Sequence, residues 1–195
     1  MRYEPDQKAK TRERVLKAAA KAIRAEGPHN LAVAKVMGDA GLTVGGFYAH
    51  FASKDDLVAA TIDQMFAEAK SRALLETEGR APAQALGAYV DFYLSATHRD
   101  SRTTGCPMPF LAADLPRLTT AARERFAAGV AMLRSRMAFH LSRLGRGDAE
   151  ADASSMVAEL VGALSLARAE PDPTISDAIL DRSKAALKRR FGLEA

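Results

Sequence analysis

The chain has 195 residues, 28 Lys and Arg against 24 Asp and Glu, a net charge of +4, and 48% hydrophobic residues. These values are typical of a globular protein that is long enough to bury a core without disulfides or metal ions. No apolar run approaches the ~18 residues of a membrane span, and no secretory signal opens the chain, so we expect a soluble, cytoplasmic protein.

The positive charge is concentrated near the N-terminus. Residues 1–54 hold 10 Lys and Arg against 5 Asp and Glu, whereas residues 55–195 hold 18 against 19. A basic N-terminal segment fits contact with a polyanion such as DNA, and it equally fits a solvated basic face. Charge alone leaves both interpretations open.

Three helices are predicted before residue 53. Thr11 can cap the first, which ends at Gly27-Pro28. The second spans roughly 33–40 and is stopped by Gly41. The third begins after a possible cap at Thr43 and continues through Phe51, so the first three elements are closely linked.

The following helices are mostly longer. Ser53 and Asp56 have the spacing of a capping box and predict the start of a fourth helix. A fifth helix carries Leu86 to Leu94, and the polar stretch 99–105 is predicted to be a mobile loop. Gly105-Cys106-Pro107 then opens a short helical segment.

Three helices complete the prediction. One spans about 119–144, and the next follows a cap at Asp148. Pro171-Asp172-Pro173 separates that helix from the last, which Thr174 can cap and whose inward stripe is Ile175, Ile179, Ala186, Leu187 and Phe191. The sequence therefore predicts an all-α fold of about nine helices, with a small trihelical N-terminal part and a larger C-terminal bundle.

Residues 33–51 read VAKVMGDAGLTVGGFYAHF and have the pattern of a helix-turn-helix motif. Gly41 suits the turn because glycine can adopt a positive φ without a Cβ clash. In such motifs the second helix enters the DNA major groove, with its N-terminal residues at the base edges.

The run GLTVGGFYAHFASKDDLVAA at residues 41–60 resembles the recognition helix and following helix of the TetR family, and the resemblance extends over roughly 10–62. It implies a DNA-binding domain at 1–52 and a ligand-binding and dimerisation domain at 53–195. The function implied is a homodimeric repressor that binds a palindromic operator and is released by a small molecule. The last two helices are implied to form the dimer interface.

The residue types of this segment suit DNA contact. Gly45 and Gly46 are unfavourable inside a helix, but they let the backbone come close to DNA. Val44 offers methyl groups to a thymine. Phosphate oxygens can accept hydrogen bonds from the donors of four further residues, which are Thr43, Tyr48, His50 and Lys54.

Three of these residues also have simpler interpretations. Tyr48 fits a surface aromatic, His50 a core or capping histidine, and Lys54 a solvated cation. The resemblance implies phosphate contacts for all three, and it places Val44 and Gly45 near the bases.

The sequence departs from the family pattern at two places. Ala32 stands where relatives often cap the second helix with Ser or Thr, so the phosphate contact there is missing or supplied by Asn30. Val44 gives little hydrogen-bond readout. Specificity can then depend on Thr43, on DNA shape, or on an N-terminal arm with Arg2, Lys8 and Lys10.

The C-terminal half is predicted to hold a pocket for a small apolar or amphipathic effector, because Met and aromatic side chains form adaptable cavities. The candidates are Met65, Tyr89, Tyr93, Met108, Phe110 and Met137, and Phe92, Met132 and Phe139 are further residues of the same types in this half. Each of these residues also fits ordinary core packing.

Cys106 is the single cysteine, so no intrachain disulfide can form. It stands at a predicted helix N-terminus, where the thiolate is favoured, and a redox- or electrophile-sensing role competes with an inert buried thiol.

We find no metal-ligand spacing among the four histidines, no cofactor motif and no enzyme signature. Two alternatives to a ligand-responsive repressor remain. One is a DNA-binding protein whose C-terminal half only dimerises, and the other is a helical enzyme with a fortuitous motif.

Overall fold

The computed structural model describes residues 4–193, which form nine α-helices, two 3-10 helices and no strand. The all-α prediction is therefore confirmed. The α-helices are α1 Glu4–Glu26, α2 Val33–Asp39, α3 Lys54–Thr77, α4 Pro82–Tyr93, α5 Ala96–Asp100, α6 Met108–Leu111, α7 Thr120–Arg143, α8 Ala149–Ala169 and α9 Pro173–Phe191. The 3-10 helices are Val44–Ala49 and Leu115–Arg117.

Helix α1 begins earlier than predicted, at Glu4 rather than after Thr11. Pro5 in the first turn is compatible with this start, because the N–H group that proline lacks has no intrahelical partner there. The predicted end is confirmed, since α1 stops at Glu26 and Gly27 follows with a φ of 82°.

Side-chain caps begin several of the later helices. The amide of Asp56 donates to Ser53 Oγ over 3.1 Å, and the amide of Ala52 donates to the Asp56 carboxylate over 3.0 Å, which starts α3 as predicted. Asp148 likewise caps α8 through the amide of Ala151. These caps accept hydrogen bonds from amides that would otherwise lack partners in the first turn.

The start of α9 corrects the prediction by two residues. Asp172, rather than Thr174, is the cap, and its carboxylate accepts from the amides of Thr174 and Ile175. Pro173 then takes the first helical position, where proline is favoured.

The predicted mobile loop at 99–105 is partly wrong, because Arg99 and Asp100 belong to α5. Ser95 Oγ caps this short helix by accepting from the amide of His98 over 3.1 Å. The Arg168 side chain donates to the carbonyl oxygens of His98 and Arg99 at its other end, over 2.8 and 3.0 Å. Contacts between residues far apart in sequence therefore order this stretch.

The chain packs as two compact units. The first comprises the chain up to Glu68 with Arg102–Ala128, and the second comprises Ala69–Ser101 with the chain from Gly129 onward. Helices α3 and α7 each contribute residues to both units. The functional division at residue 53 is a different question and stays a prediction.

Each unit has its own buried apolar residues. In the second unit, α8 and α9 pack against each other, and the buried face of α9 agrees with the prediction at Leu187 and Phe191 but not at Ile175. Ile175, predicted to face inward, is exposed, because the buried positions are Ser176, Leu180, Leu187 and Phe191. The first unit buries among others Val15, Ala19, Ile23, Val36, Met37, Phe47, Phe51 and Leu57.

Candidate nucleic-acid interface

The turn between α2 and the Val44–Ala49 helix is built on Gly41. Its φ is 69°, its amide donates to Gly38 O over 2.8 Å, and the amide of Leu42 donates to Met37 O over 2.9 Å. This left-handed glycine ends α2 and reverses the chain, as the sequence predicted. The helix-turn-helix order of elements is therefore present.

The second helix of the motif is a 3-10 helix of six residues rather than an α-helix that continues to Phe51. Two consecutive glycines reduce the tendency to form an α-helix. Thr43 occupies the position before it but makes no capping hydrogen bond through its side chain. The Thr43 hydroxyl is thus not used as a cap.

Two buried aromatic rings lie within and just after this helix. Phe47 and Phe51 stack with centroids 5.7 Å apart, and the guanidinium carbon of Arg12 lies 4.9 Å from the Phe51 ring centroid. Both Phe side chains belong to the buried core of the first unit. They fix which face of the 3-10 helix points outward.

The outward face presents an unusual set of side chains. Val44 is 50% exposed and Tyr48 is 78% exposed, although large apolar and aromatic groups are ordinarily covered. Within residues 4–193, the one ring pair that includes Tyr48 is a T-shaped contact with Phe47, with centroids 5.2 Å apart. Thr43 and Gly45 are exposed beside them.

The two glycines of this helix have different surroundings. A Cβ added at Gly45 would meet no atom within 4 Å, whereas one at Gly46 would lie 3.9 Å from Met37 Cε, an ordinary contact. Packing of the free protein therefore does not require glycine at either position. Close approach of another molecule gives a physical reason for Gly45.

Lys54 and His50 lie at the end of this segment. Lys54 Nζ donates to the carbonyl oxygen of His29 over 2.8 Å, which joins the start of α3 to the α1–α2 connection. Nδ1 of His50 is buried and has no hydrogen-bond partner among the described residues. Lys54 is therefore hydrogen-bonded in the free protein, and the proposed roles of both side chains stay predictions.

Ala32 and Asn30 precede α2, where the sequence departs from the family pattern. Ala32 is the residue before α2 and supplies no side-chain cap, and the Asn30 amide group donates to Glu26 O over 2.8 Å at the end of α1. Asn30 thus does not replace the missing cap. Of the suggested arm, Lys8 and Lys10 lie on the exposed surface of α1, and Arg2 falls outside the described residues.

The sequence analysis missed a basic groove between α1 and α2. It has a volume of about 670 Å³, and its cationic lining residues are Arg14, Lys17, Lys21 and Lys35. Lys17 pairs with Glu13 at 2.7 Å, and that hydrogen bond raises the pKa of Lys17. The spacing of residues 14, 17 and 21 along one helix face was the available signal.

The six candidate pocket residues do not form one group within a unit. Met65, Met108 and Phe110 belong to the first unit, and Tyr89, Tyr93 and Met137 to the second. All except Phe110 are buried, which fits core packing as well as a pocket. An effector pocket lined by these residues therefore stays a prediction.

Cys106 is buried and lies just before the short helix α6, as predicted. The preceding residue, Gly105, accepts a hydrogen bond from Arg24 Nε over 3.1 Å through its carbonyl oxygen. The cysteine segment is therefore in direct contact with α1, and its sensing role stays a prediction.

Residues 15–61 match the family model described as bacterial regulatory proteins, tetR family. The chain also resembles solved structures over nearly its whole length. The reduced form of NemR from E. coli has a TM-score of 0.81 at 19% identity, over 92% of this chain and 96% of that one. A TetR transcriptional regulator from Chloroflexus aurantiacus has a TM-score of 0.80 at 24% identity, over 96% of both chains. A TetR-family regulator from Cytophaga hutchinsonii has a TM-score of 0.81 at 18% identity, over 94% and 96%.

These structures show a shared fold, and no curated protein matches the chain. Within residues 4–193, no helix has the length and apolar character needed to cross a membrane. The family model matches the helix-turn-helix segment, since 15–61 includes the second half of α1, all of α2 and the Val44–Ala49 helix, and the start of α3. Residues 15–61 therefore match the tetR family of bacterial regulatory proteins, and the chain as a whole has the fold of these solved structures.

Proposed function

We propose that this chain is a DNA-binding transcription repressor of the TetR type that binds a palindromic operator as a homodimer and is released from it by a small-molecule effector. The observation that carries the proposal is the outward face of the 3-10 helix. Val44 and Tyr48 are exposed there, while Phe47 and Phe51 fix the helix from behind. A rigid backing with a protruding face suits recognition of a groove.

Each residue of this face has a proposed role. Val44 and Gly45 approach the bases, Val44 through its methyl groups and Gly45 by leaving room for the DNA. Thr43 and Gly46 flank them. Tyr48, His50 and Lys54 contact phosphates, which fix the register of the protein on the duplex.

The homodimer is proposed to form through α8 and α9. Leu166 on α8 is 63% exposed and Ile175 on α9 is 51% exposed, so both helices present large apolar side chains outward. A Cβ at Gly162 would meet no atom within 4 Å, so α8 also has a small residue on an open surface. A two-fold interface would bury these side chains, and a two-fold protein matches two-fold DNA.

Release is proposed to follow a change in the positions of the two heads. Recognition helices must be about 34–36 Å apart to enter successive major grooves. Helix α3 begins directly after the helix-turn-helix and contributes to both units, so a change in its tilt alters that separation. The contact from Arg24 to Gly105 O provides a second route from α1 to the segment before α6.

Footprinting on DNA selected from a genomic pool tests operator binding. We expect protection of an inverted repeat with two equivalent half-sites, and an affinity that falls steeply with salt as phosphate contacts release counterions. Equal binding to all sequences without a dyad would contradict the proposal.

Reciprocity tests the effector. A ligand found by thermal-shift screening should bind the free protein more tightly than the operator complex, by the same factor with which it weakens operator binding. Typical couplings are about 5–150-fold. A tight ligand with equal affinity in both states is not an inducer.

A further inference from the structure

A groove in the second unit is lined by residues outside the proposed DNA contacts, and of the pocket candidates named from the sequence it includes Phe139 alone. It lies between the C-terminal parts of α3 and α7, and we name it the α3–α7 groove. Its volume is about 370 Å³, within the range of small-molecule sites. The residues on which the argument depends are Thr77, Arg80, Arg136, Phe139, His140 and Arg143.

Positive charge dominates this groove. Three of its residues are arginines, and Glu78 is the one acidic residue in its lining. Arg136 Nη2 donates to the hydroxyl of Thr77 over 3.0 Å, and the guanidinium carbon of Arg143 lies 5.7 Å from the Phe139 ring centroid. Neither Arg136 nor Arg143 forms an ion pair with a carboxylate within residues 4–193.

Two polar atoms in the groove lack partners. His140 is only 8% exposed, and its Nδ1 has no hydrogen-bond partner among the described residues. Nε of Arg136 is buried and likewise has no partner there. Buried polar groups in proteins are nearly always paired, so these two atoms leave hydrogen-bonding capacity beside the groove that ordered water or a bound group can satisfy.

The same groove has an apolar wall. Phe139 is a large exposed aromatic residue, and Leu74 also lines the groove. Apolar side chains in a groove that arginines also line can hold a hydrocarbon chain while the cations hold a charged end. The combination favours a ligand with one anionic and one apolar part.

We propose that the α3–α7 groove binds a small amphiphile whose oxyanion headgroup pairs with Arg136 and Arg143 and whose apolar body lies on Phe139. Guanidinium groups form charge-assisted, often bidentate hydrogen bonds with oxyanions. A neutral or cationic headgroup would leave both arginines unpaired. The inference concerns binding alone and holds whether or not binding releases DNA.

Binding should be linked to protonation of His140. Burial, followed by the charges of Arg136 and Arg143, lowers the pKa of His140 in the free protein. The other charged groups in the groove are Arg80 and Glu78. An anion beside Arg136 and Arg143 compensates their charge and raises that pKa, so binding takes up a proton and tightens as pH falls.

Calorimetry with hexanesulfonate and hexyltrimethylammonium tests the charge preference, because the two probes share a chain and keep their charges at every pH used. Inorganic sulfate tests the contribution of the apolar body. We expect hexanesulfonate to bind at least about tenfold more tightly than either comparison probe. Its affinity should rise from about pH 8 to about pH 6, with proton uptake in buffers of different ionisation enthalpy.

Variants assign the binding to this groove. Arg136→Gln and Arg143→Gln should each weaken hexanesulfonate binding by at least about fivefold. His140→Asn should abolish the proton uptake. The matched control is Arg123→Gln, which removes an exposed arginine from the same helix outside the groove. Arg143 is exposed, so its replacement tests the site even if Arg136→Gln unfolds the chain.

Three results would overturn the inference. The first is no binding of hexanesulfonate, the second is equal binding of the two hexyl probes, and the third is unchanged binding in Arg143→Gln. Loss of operator binding in any variant does not bear on it, since these measurements use the protein without DNA.

Discussion

The guanidinium of Arg24 lies 2.8 Å from the carboxylate of Glu68, and its Nε donates to Gly105 O over 3.1 Å. The Arg24 side chain is 1% exposed and that of Glu68 is 36% exposed. One buried cation therefore joins α1, α3 and the segment before α6 within the first unit. Because burying a charge is costly unless it is paired, the folded state depends on Arg24 keeping both of these partners.

Replacement of Arg24 should destabilise the first unit. In Arg24→Met, the Gly105 carbonyl loses the Arg24 donor and the Glu68 carboxylate keeps only the hydrogen bond from Gln64. We expect a loss of about 2 kcal/mol in the free energy of unfolding, less than for a fully buried pair because water reaches Glu68. Urea unfolding followed by circular dichroism measures it. Lys17→Met, which removes the exposed pair with Glu13, is the control and should leave the midpoint unchanged. Equal midpoints for Arg24→Met and the wild type would contradict this role.

Phosphate contacts should appear in the salt dependence of DNA binding. Lys54→Ala should weaken binding to all sequences alike and reduce the slope of log K against log salt by about 0.9. Tyr48→Phe should weaken binding by about tenfold with little change in slope, because it removes a neutral donor. Lys54→Arg is the control: it keeps the positive charge and a donor that can bond to His29 O, so it should retain the salt dependence. Unchanged affinity in both Lys54→Ala and Tyr48→Phe would remove these assignments.

Gly45 separates the needs of the fold from those of the complex. A Cβ at this position meets no atom within 4 Å in the free protein. Gly45→Ala should therefore leave the free energy of unfolding unchanged or raise it by up to about 1 kcal/mol, which thermal unfolding measures. Operator affinity should nevertheless fall by about tenfold or more if DNA approaches the backbone. Gly147→Ala, at another open position without a positive φ, is the matched control. A destabilised Gly45→Ala protein, or one with full operator affinity, would count against close approach.

Local signals predicted much of the fold. The capping pair Ser53–Asp56, the left-handed Gly41 and the cap at Asp148 each depend on residues within a few positions of each other, and all three are present. Helix α5 was missed because its C-terminal end is satisfied by Arg168, about 70 residues away. The exposure of Ile175 was not predicted for the same reason, since the helices packed against α9 decide which of its faces is buried.

The sequence predicted the exposed face of the candidate site but not the contacts made by residues distant in the chain. Exposure of Val44 and Tyr48 follows from the spacing of Phe47 and Phe51, which the sequence displays. The role of Arg24 could not be predicted, because a buried arginine resembles any other basic residue of α1 until its partners on α3 and before α6 are known. The α3–α7 groove likewise unites residues separated by about 60 positions.

A charge on the outer faces of α8 or α9 should disrupt the proposed dimer. Leu166→Glu or Ile175→Glu would place a carboxylate in an apolar interface, and we expect dimerisation to weaken by roughly 100-fold or more, equivalent to about 3 kcal/mol. Sedimentation velocity measures the shift to monomer, and operator binding should fall with it. Leu75→Glu places the same charge at another exposed leucine, on α3, and should leave the dimer intact. Dimers that persist in both test variants would exclude this interface.

Modification of Cys106 should lower operator affinity. Methyl methanethiosulfonate is small enough to test a buried thiol: the thiolate attacks its sulfur, an S–S bond forms and methanesulfinate leaves. The added thiomethyl group has to displace neighbours of a buried side chain, and the adjacent Gly105 carbonyl is the acceptor for Arg24. We therefore expect the modified protein to bind operator at least about fivefold more weakly, and dithiothreitol to restore the affinity, because it reduces the mixed disulfide. Cys106→Ser should bind operator normally and ignore the reagent. If mass spectrometry shows complete modification while operator affinity is unchanged, Cys106 is an inert core thiol and the sensing hypothesis is wrong.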